Sequence, residues 1–430
     1  MKKLFKKPEP GDKIEITVKN KLEKGIFLES PDSSILILKL ENGYNIGFKK
    51  EDISDIRIIE KREIKKQTEE FKLSHKKPVI DFILTGGTIS SKLDPKTGGV
   101  KWLLTAQEFF SIYPEIFEIA DIRIKTPFMK ASENMNSKDW IKIAKIVHKS
   151  LNDKDVKGVI ISHGTDFLHY TSAALSFMLR NLKKPVVLTY SQRSSDRGSS
   201  DSRLNLLCSA RAALSDIAEV ILVGHANLDD EYCYALRGTK VRKMHSSRRD
   251  AFKPINADPI AKIYPSGKIE FLSDYNKRGK GNEKTKLDAV FEDKVALIKF
   301  YPGQNPDILD YYTKNNYKGI VIEMSGLGHI CSEGKFNFIN KLKEVINKGI
   351  YVCAAPQTIY GRLDPYVYSP GRKLLKIGII FLEDMLAETA FVKLGWVLAH
   401  KEWRGTLITP SKMQENIAGE FNYRLGQRFN

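Results

Sequence analysis

The fold is decided by the stretch Val79-Ile80-Asp81-Phe82-Ile83-Leu84-Thr85-Gly86-Gly87-Thr88-Ile89, an apolar run followed by a glycine-rich turn. The run has the composition of a strand that is buried on both faces, as in a parallel sheet. A second stretch repeats the pattern, because Gly158-Val159-Ile160-Ile161 leads into the turn His163-Gly164-Thr165-Asp166. Ligands bind outside the carboxyl ends of parallel strands, so we expect the two turns to line one crevice.

Strand-like and helical patterns alternate from Pro78 to the end of the chain. The predicted strands are 79–84, 159–161, 186–188, 220–223, 295–298, 319–323 and 351–354, and the predicted helices are near 106–110, 137–151, 167–182, 202–215, 336–347 and 383–398. This alternation predicts an α/β fold with a parallel sheet that is covered on both faces. The polar and basic segment 276–284 interrupts the series, which predicts two α/β domains, 78–285 and 286–430.

The part of the chain before these domains has a different sequence pattern. Short β-type runs alternate with turns between Gly11 and Ile59, which predicts a small antiparallel, SH3-like β-barrel over residues 1–60. The charged stretch 61–77 has almost no apolar periodicity and is predicted to be a linker. The sequence therefore predicts a separate N-terminal module.

Length and composition narrow the class of protein. The chain has 430 residues, of which 42% are hydrophobic, so it can bury a sizeable core. It contains no run of about 18 apolar residues, and its basic N-terminus lacks the apolar core of a signal peptide, so we expect a cytoplasmic protein without a membrane segment. The four cysteines form no C-x-x-C pair and the histidines have no metal spacing, which predicts reduced thiols and no metal site.

The chain carries a formal net charge of +18. Such an excess favours polyanions such as nucleic acids. Lysine and arginine are nevertheless spread along the whole chain, with no aromatic-interleaved basic block. Charge alone therefore does not predict RNA binding.

The two turns resemble the signature motifs of the bacterial-type L-asparaginases, in the same order and at about the same separation. Two further segments match that family. Ser132-Glu133-Asn134-Met135-Asn136 lies where the family has its substrate-binding serine, and Arg237-Gly238-Thr239-Lys240-Val241-Arg242-Lys243-Met244-His245-Ser246 lies where it has its catalytic lysine. The resemblance implies an asparaginase-like two-domain architecture from Val79 to the C-terminus.

Three features narrow the resemblance to the D-type subunits of the archaeal glutamyl-tRNA(Gln) amidotransferases: the preceding barrel, the run 243–252, and Gln357-Thr358-Ile359-Tyr360-Gly361-Arg362. This implies a glutaminase that hydrolyses free glutamine and supplies ammonia to the E-type subunit, the kinase and transamidase of the complex. That partner would use ATP and Mg²⁺ to convert Glu-tRNA(Gln) to Gln-tRNA(Gln), and this chain would bind no cofactor itself. The implied assembly is a homodimer of this chain within a heterotetramer.

The family motifs also imply roles for individual residues. Thr88 would be the nucleophile, although which threonine attacks first stays open. The second catalytic cluster would consist of Thr165, Asp166 and Lys243, and the substrate would be bound by Ser132, Glu133, Gly87 and Gly164. A threonine hydroxyl needs a nearby base and backbone N–H groups that hold the oxyanion, and glycine allows the close backbone approach.

Several alternatives stand beside this interpretation. Taken alone, a turn such as the first one is more often a structural or phosphate-binding turn than the site of a threonine nucleophile. Lys243 could belong to a solvated basic face with Lys240 and Arg242. The whole chain could be a free-standing cytoplasmic asparaginase or glutaminase, or a tRNA-binding adaptor without catalysis. The mobile-loop tyrosine of the family has no counterpart in residues 92–103, so we expect weak activity without the partner.

Overall fold

A computed structural model describes residues 8–28, 30, 32–40, 45–61, 76–93, 100–102, 113–194, 199–279 and 283–426. Most of the predicted linker, the predicted helix near 106–110 and part of the segment 276–284 lie outside these residues. The predicted domain boundaries stay predictions. The four cysteines are free, as expected, and three of them are buried.

The N-terminal module is a five-stranded antiparallel sheet. Its strands are β1 (Lys13–Val18), β2 (Lys21–Leu28), β3 (Ile35–Lys39), β4 (Asn45–Lys49) and β5 (Ile53–Glu60), in the order β4-β3-β2-β1-β5. Lys19 and Asn20 both have positive φ, as a type I′ hairpin between β1 and β2 requires. Alternate apolar residues on β1 and β3, such as Ile14 and Leu36, form the core. The predicted β-rich module is therefore confirmed.

The first α/β domain is built around an eight-stranded sheet. In chain order the strands of the domain, inside and outside this sheet, are β6 (Val79–Leu84), β7 (Ser91–Leu93), β8 (Val100–Trp102), β9 (Asp121–Lys125), β10 (Val156–Ser162), β11 (Leu179–Arg180), β12 (Val186–Thr189), β13 (Val220–His225), β14 (Cys233–Arg237), β15 (Val241–Lys243), β16 (Phe252–Pro254), β17 (Ala261–Ile263) and β18 (Ile269–Phe271). The order in the sheet is β18-β17-β14-β13-β12-β10-β6-β9. Strands β9, β6, β10, β12 and β13 are parallel, which confirms the predicted α/β arrangement.

Two details of this domain differ from the prediction. Strands β14, β17 and β18 extend the sheet in antiparallel fashion. They are only three to five residues long, so they give little alternation in the sequence. The helix predicted over 167–182 ends at Met178, because the chain then forms β11, which pairs with β19 (Lys286–Leu287).

Helices cover both faces of the first sheet. They are α1 (Ile116–Ile119), α2 (Ser137–Leu151), α3 (Leu168–Met178) and α4 (Ser202–Leu214). Helix α2 begins where predicted, because Asn136 and Asp139 form a capping box at its N-terminus. Residues of α2 and α3 pack on one face of the sheet, and residues of α1 and α4 pack on the other.

The second α/β domain has a smaller parallel sheet. Its strands are β20 (Val295–Lys299), β21 (Gly319–Met324), β22 (Tyr351–Pro356) and β23 (Ile380–Phe381), in that order. Its helices are α5 (Ile308–Lys314), α6 (Ile339–Asn347), α7 (Ser369–Lys376), α8 (Ala387–Ala399) and α9 (Ile408–Gln414). One core contains residues of both α/β domains, and the ring of Phe177 on α3 stacks on that of Trp396 on α8 at 5.8 Å.

Candidate active site

The two predicted turns meet at their glycines. Gly87 has a φ of 86°, a conformation that disfavours side chains, and a Cβ atom there would lie 2.5 Å from the backbone nitrogen of Gly164. The hydroxyl of Thr85 donates a 2.6 Å hydrogen bond to the carbonyl oxygen of Ser162, which joins the ends of β6 and β10. The structure therefore brings the two turns into contact at the glycines that directly precede Thr88 and Thr165.

The serine segment reaches the same place. Ser132 is buried, and a Cβ atom on Gly164 would lie 2.9 Å from its hydroxyl oxygen. That hydroxyl also accepts a 3.3 Å hydrogen bond from the backbone N–H of Phe167. Ser132 is thus held against the second turn, and its role in substrate binding stays a prediction.

Glu133 follows Ser132 in the same short 3-10 turn, but its side chain is exposed. It lines a cavity of about 310 Å³ together with aromatic side chains that include Phe167 and Tyr170. Glu133 therefore faces a cavity that Ser132 and Phe167 also line, and none of Thr88, Thr165, Asp166 and Lys243 is among its lining residues. Its role in substrate binding stays a prediction.

Lys243 lies at the centre of the second cluster. Its Nζ is 2.8 Å from Thr165 Oγ1 and 2.7 Å from Asp166 Oδ1. The side chains of Lys243 and Asp166 are 10% and 61% exposed, so the lysine is largely enclosed while the carboxylate faces the solvent. These contacts form a path by which a proton could pass between the lysine and a hydroxyl group.

The histidine of the second turn supports the backbone at the site. His163 is fully buried, and its Nδ1 is 2.8 Å from the carbonyl oxygen of Gly164. Because a carbonyl oxygen only accepts, Nδ1 carries the proton and Nε2 accepts from the hydroxyl of Thr171 at 2.9 Å. Burial lowers the pKa of His163 to about 4, so this neutral tautomer holds the turn at neutral pH.

A second buried histidine lies further along the chain, on α3. Burial, together with the nearby positive charges of Arg242 and Lys243, lowers the pKa of His169 to about 3. Both histidines ionise near pH 6.5 once the chain is unfolded. The pKa of each histidine is lower in the folded state than in the unfolded state. As the pH falls below 6.5, the unfolded state therefore binds more protons than the folded state, and the free energy of unfolding decreases.

We expect the free energy of unfolding to fall by about 2 kcal/mol per histidine between pH 7 and pH 5. Replacing His169 with phenylalanine, which suits its aromatic neighbours Tyr170 and Phe252, should remove about 2 kcal/mol of that loss. Urea unfolding at both pH values measures the effect. His245→Gln, at an exposed position, should keep the full loss. An equal loss in His169→Phe and the unaltered chain would contradict the assignment.

Two acidic residues that the sequence did not single out pair with basic residues next to Lys243. Lys240 is only 1% exposed, and its Nζ is 2.6 Å from Asp384 Oδ2, so it does not belong to a solvated basic face. Arg242 pairs with Glu388 at 3.1 Å. Asp384 lies 144 residues beyond Lys240, so residue spacing gave no signal for the pair.

Neither a metal centre nor a membrane-spanning helix is found in the described part of the chain. Among those residues, no three His, Cys, Asp or Glu side chains are grouped in a way that could bind a metal ion. Within the same ranges, no helix has both the length and the apolar composition needed to cross a membrane.

Comparisons with known proteins agree with the fold. Residues 79–277 match the N-terminal asparaginase family model, residues 294–407 match the glutaminase/asparaginase C-terminal domain, and residues 8–59 match the GatD N-terminal domain. A thermostable L-asparaginase from Thermococcus kodakarensis superimposes with a TM-score of 0.70 at 30% identity, over 80% of this chain and 99% of that one. The fold and the site thus define an asparaginase-class α/β protein.

Relatives that also contain the N-terminal module place the chain in one family within the asparaginase class. The D-type subunit (GatD) of the glutamyl-tRNA(Gln) amidotransferase from Pyrococcus abyssi is 49% identical over 96% of this chain and 92% of the relative. That of Sulfolobus acidocaldarius is 45% identical over the same shares. The chain belongs to the GatD family of glutamyl-tRNA(Gln) amidotransferase subunits.

Proposed function

We propose that this chain is the glutaminase subunit of a tRNA-dependent amidotransferase. The observation that carries the proposal is the contact of Lys243 Nζ with both Thr165 and Asp166, beside the turn that bears Thr88. Family membership supports the amidohydrolase chemistry, and the N-terminal module supports the amidotransferase context.

In the proposed reaction, the hydroxyl of Thr88 attacks the side-chain amide carbon of glutamine. Lys243 in its neutral form, in contact with Thr165, accepts the proton that the attacking hydroxyl loses, and then gives that proton to the leaving nitrogen so that ammonia departs. Water then attacks the threonine ester, which releases glutamate and restores the hydroxyl of Thr88. If Thr165 attacks first, Lys243 is already 2.8 Å from its oxygen and serves the same purpose.

Free glutamine carries an ammonium group and a carboxylate on its α-carbon. The solvent-facing carboxylate of Asp166 suits the ammonium group, and Ser132 offers its hydroxyl to the carboxylate. Glu133, which directly follows Ser132 in the chain, would add negative charge near the ammonium group. Gly87 and Gly164 would bind the substrate through their backbone groups, because the space that a side chain would take at Gly87 is filled by the second turn and that at Gly164 by Ser132.

The ammonia would be consumed by the E-type subunit of the amidotransferase. We assign ATP and Mg²⁺ to that partner, which would phosphorylate Glu-tRNA(Gln) and amidate it to Gln-tRNA(Gln). The assembly would contain two copies of this chain and two of the partner. A free-standing asparaginase would need neither this partner nor the N-terminal module, and the relatives named for the amidotransferase favour the complex.

The test is ammonia release from glutamine and from asparagine by the purified chain, alone and with the E-type partner and Glu-tRNA(Gln). We expect glutamine hydrolysis that rises when the partner and its tRNA are added. Full activity of the isolated chain, above all on asparagine, would identify a free-standing asparaginase instead. Binding of tRNA without amide hydrolysis in either preparation would favour the non-catalytic adaptor.

A further inference from the structure

The strand that carries Lys243 is short and lies outside the main sheet. Strands β15 and β16 form a two-stranded ribbon with three residue pairs, in which Lys243 faces Phe252. An isolated two-stranded ribbon is marginally stable at best in water. The position of the lysine must therefore be fixed by contacts other than this ladder.

A buried ion pair lies at the start of the ribbon. Lys240 directly precedes β15, and its Nζ is 2.6 Å from Asp384 Oδ2, with the two side chains 1% and 0% exposed. Asp384 belongs to the second α/β domain, where it follows β23. A carboxylate and an ammonium group that are both removed from water fix each other in one geometry, because neither has a solvent alternative.

The C-terminal segment, residues 415–426, completes this cluster. The backbone N–H of Asn422 donates to Asp384 Oδ1 at 3.0 Å, and its Nδ2 donates to Asp384 Oδ2 at 2.6 Å. The same Nδ2 is 2.6 Å from the carbonyl oxygen of Asn256, which lies just beyond β16. Asn422 therefore links Asp384, which holds β15 through Lys240, to Asn256 in the chain that follows β16.

Three more contacts hold β15 and the residues directly before it. The hydroxyl of Thr239 donates to the carbonyl oxygen of Ala418 at 3.0 Å, and the carbonyl oxygen of Thr239 accepts from the hydroxyl of Thr389 at 3.0 Å. Arg242, directly before the lysine, pairs with Glu388 at the start of α8. Every one of these partners comes from the second domain or from the C-terminal segment.

We infer that Asp384 and Asn422 are positioning residues, which hold Lys243 against Thr165 through Lys240 and β15. The inference rests on the proposed function, since it assumes that Lys243 acts in amide hydrolysis. Neither residue touches the reacting atoms. Their effect is on the placement of the lysine, and a displacement of about 1 Å at a catalytic group can cost on the order of 100-fold in rate.

The test compares Asp384→Asn with Asp81→Asn in the full chain, assayed with its partner and tRNA. Asp81 is a matched control, because its carboxylate is also 0% exposed and contacts Arg123 at 2.6 Å and Lys125 at 2.5 Å. We expect both variants to melt at a lower temperature. Only Asp384→Asn should lower kcat for glutamine, on the order of 100-fold, with KM little changed.

Asn422→Ala is a second variant, and it leaves the ion pair between Lys240 and Asp384 in place. It should also lower kcat, and it keeps the inference testable if Asp384→Asn fails to fold. Wild-type kcat in folded Asn422→Ala, or an equal loss of kcat in Asp81→Asn, would overturn the inference. Both substrates, glutamine and asparagine, are assayed, because any amide hydrolysis by this site uses Lys243.

Hydrogen exchange separates this inference from the proposed function. We expect the peptide that spans β15 to exchange faster in Asp384→Asn and Asn422→Ala, but not in Asp81→Asn. If the unaltered chain hydrolysed neither amide, the proposed function would fail while the exchange result still tested the contacts that hold the ribbon. Unchanged exchange in both variants would overturn the positioning role.

Discussion

Thr88→Val is expected to abolish glutamine hydrolysis, with a fall in kcat on the order of 10⁴-fold to 10⁶-fold, as is typical when a catalytic nucleophile is removed. Valine keeps the shape and the β-branch of threonine but has no hydroxyl that could attack the amide. Thr88 is half-buried at the start of a 3-10 turn, so the fold should tolerate the exchange. Ammonia release measures kcat, and thermal unfolding confirms that the variant is folded.

Thr189→Val provides the control for this experiment. Thr189 lies at the end of β12 in the same sheet, is fully buried, and donates its hydroxyl to the carbonyl oxygen of Val223 at 3.1 Å. We expect about 1 kcal/mol of lost stability and activity of the same order as in the unaltered chain. If Thr88→Val kept substantial activity, Thr165 would be the first nucleophile.

Lys243→Met is expected to lower kcat by about 10²-fold to 10⁴-fold, the usual contribution of a general base. The lysine is the basic group within reach of Thr165 Oγ1, and methionine fills a similar volume without a proton acceptor. The measurement is kcat for glutamine in the assembled complex. Lys262→Met, on the antiparallel strand β17 of the eight-stranded sheet, serves as the control and should leave kcat unchanged.

Lys243→Arg tests whether Lys243 acts as a proton acceptor or only through its positive charge. Arginine retains the positive charge beside Asp166 but stays protonated in proteins, so it cannot accept a proton. We expect it to be nearly as inactive as the methionine variant. Substantial activity in Lys243→Arg would mean that the lysine acts by its charge alone.

The parts of the fold that the sequence predicted well are those with strong local signals. Strand β6 and helix α2 have the predicted bounds, because one is an uninterrupted apolar run and the other begins with a capping box. The antiparallel strands β14, β17 and β18 were missed, since they are short. Their place in the sheet is set by pairing with β13 and with each other, which no local pattern encodes.

At the site, the motifs predicted which residues lie together, and the structure shows the contacts and distances between them. Thr165, Asp166 and Lys243 are in contact as expected, although 77 residues separate the last two. The residues that surround Lys243 were not predictable in this way. Lys240 looked like an ordinary surface lysine within a basic run, and its burial depends on Asp384, which belongs to the other α/β domain.

The contacts between β15 and the C-terminal segment also bear on how the chain folds. The hydrogen bond from Thr239 to Ala418 spans 179 residues, and the pair between Lys240 and Asp384 spans 144. Contacts between distant parts of a chain form late, because the entropy of closing a long loop is lost before the contact is gained. Lys243 therefore reaches its final position only after the second domain and nearly the whole C-terminus have been synthesised and folded.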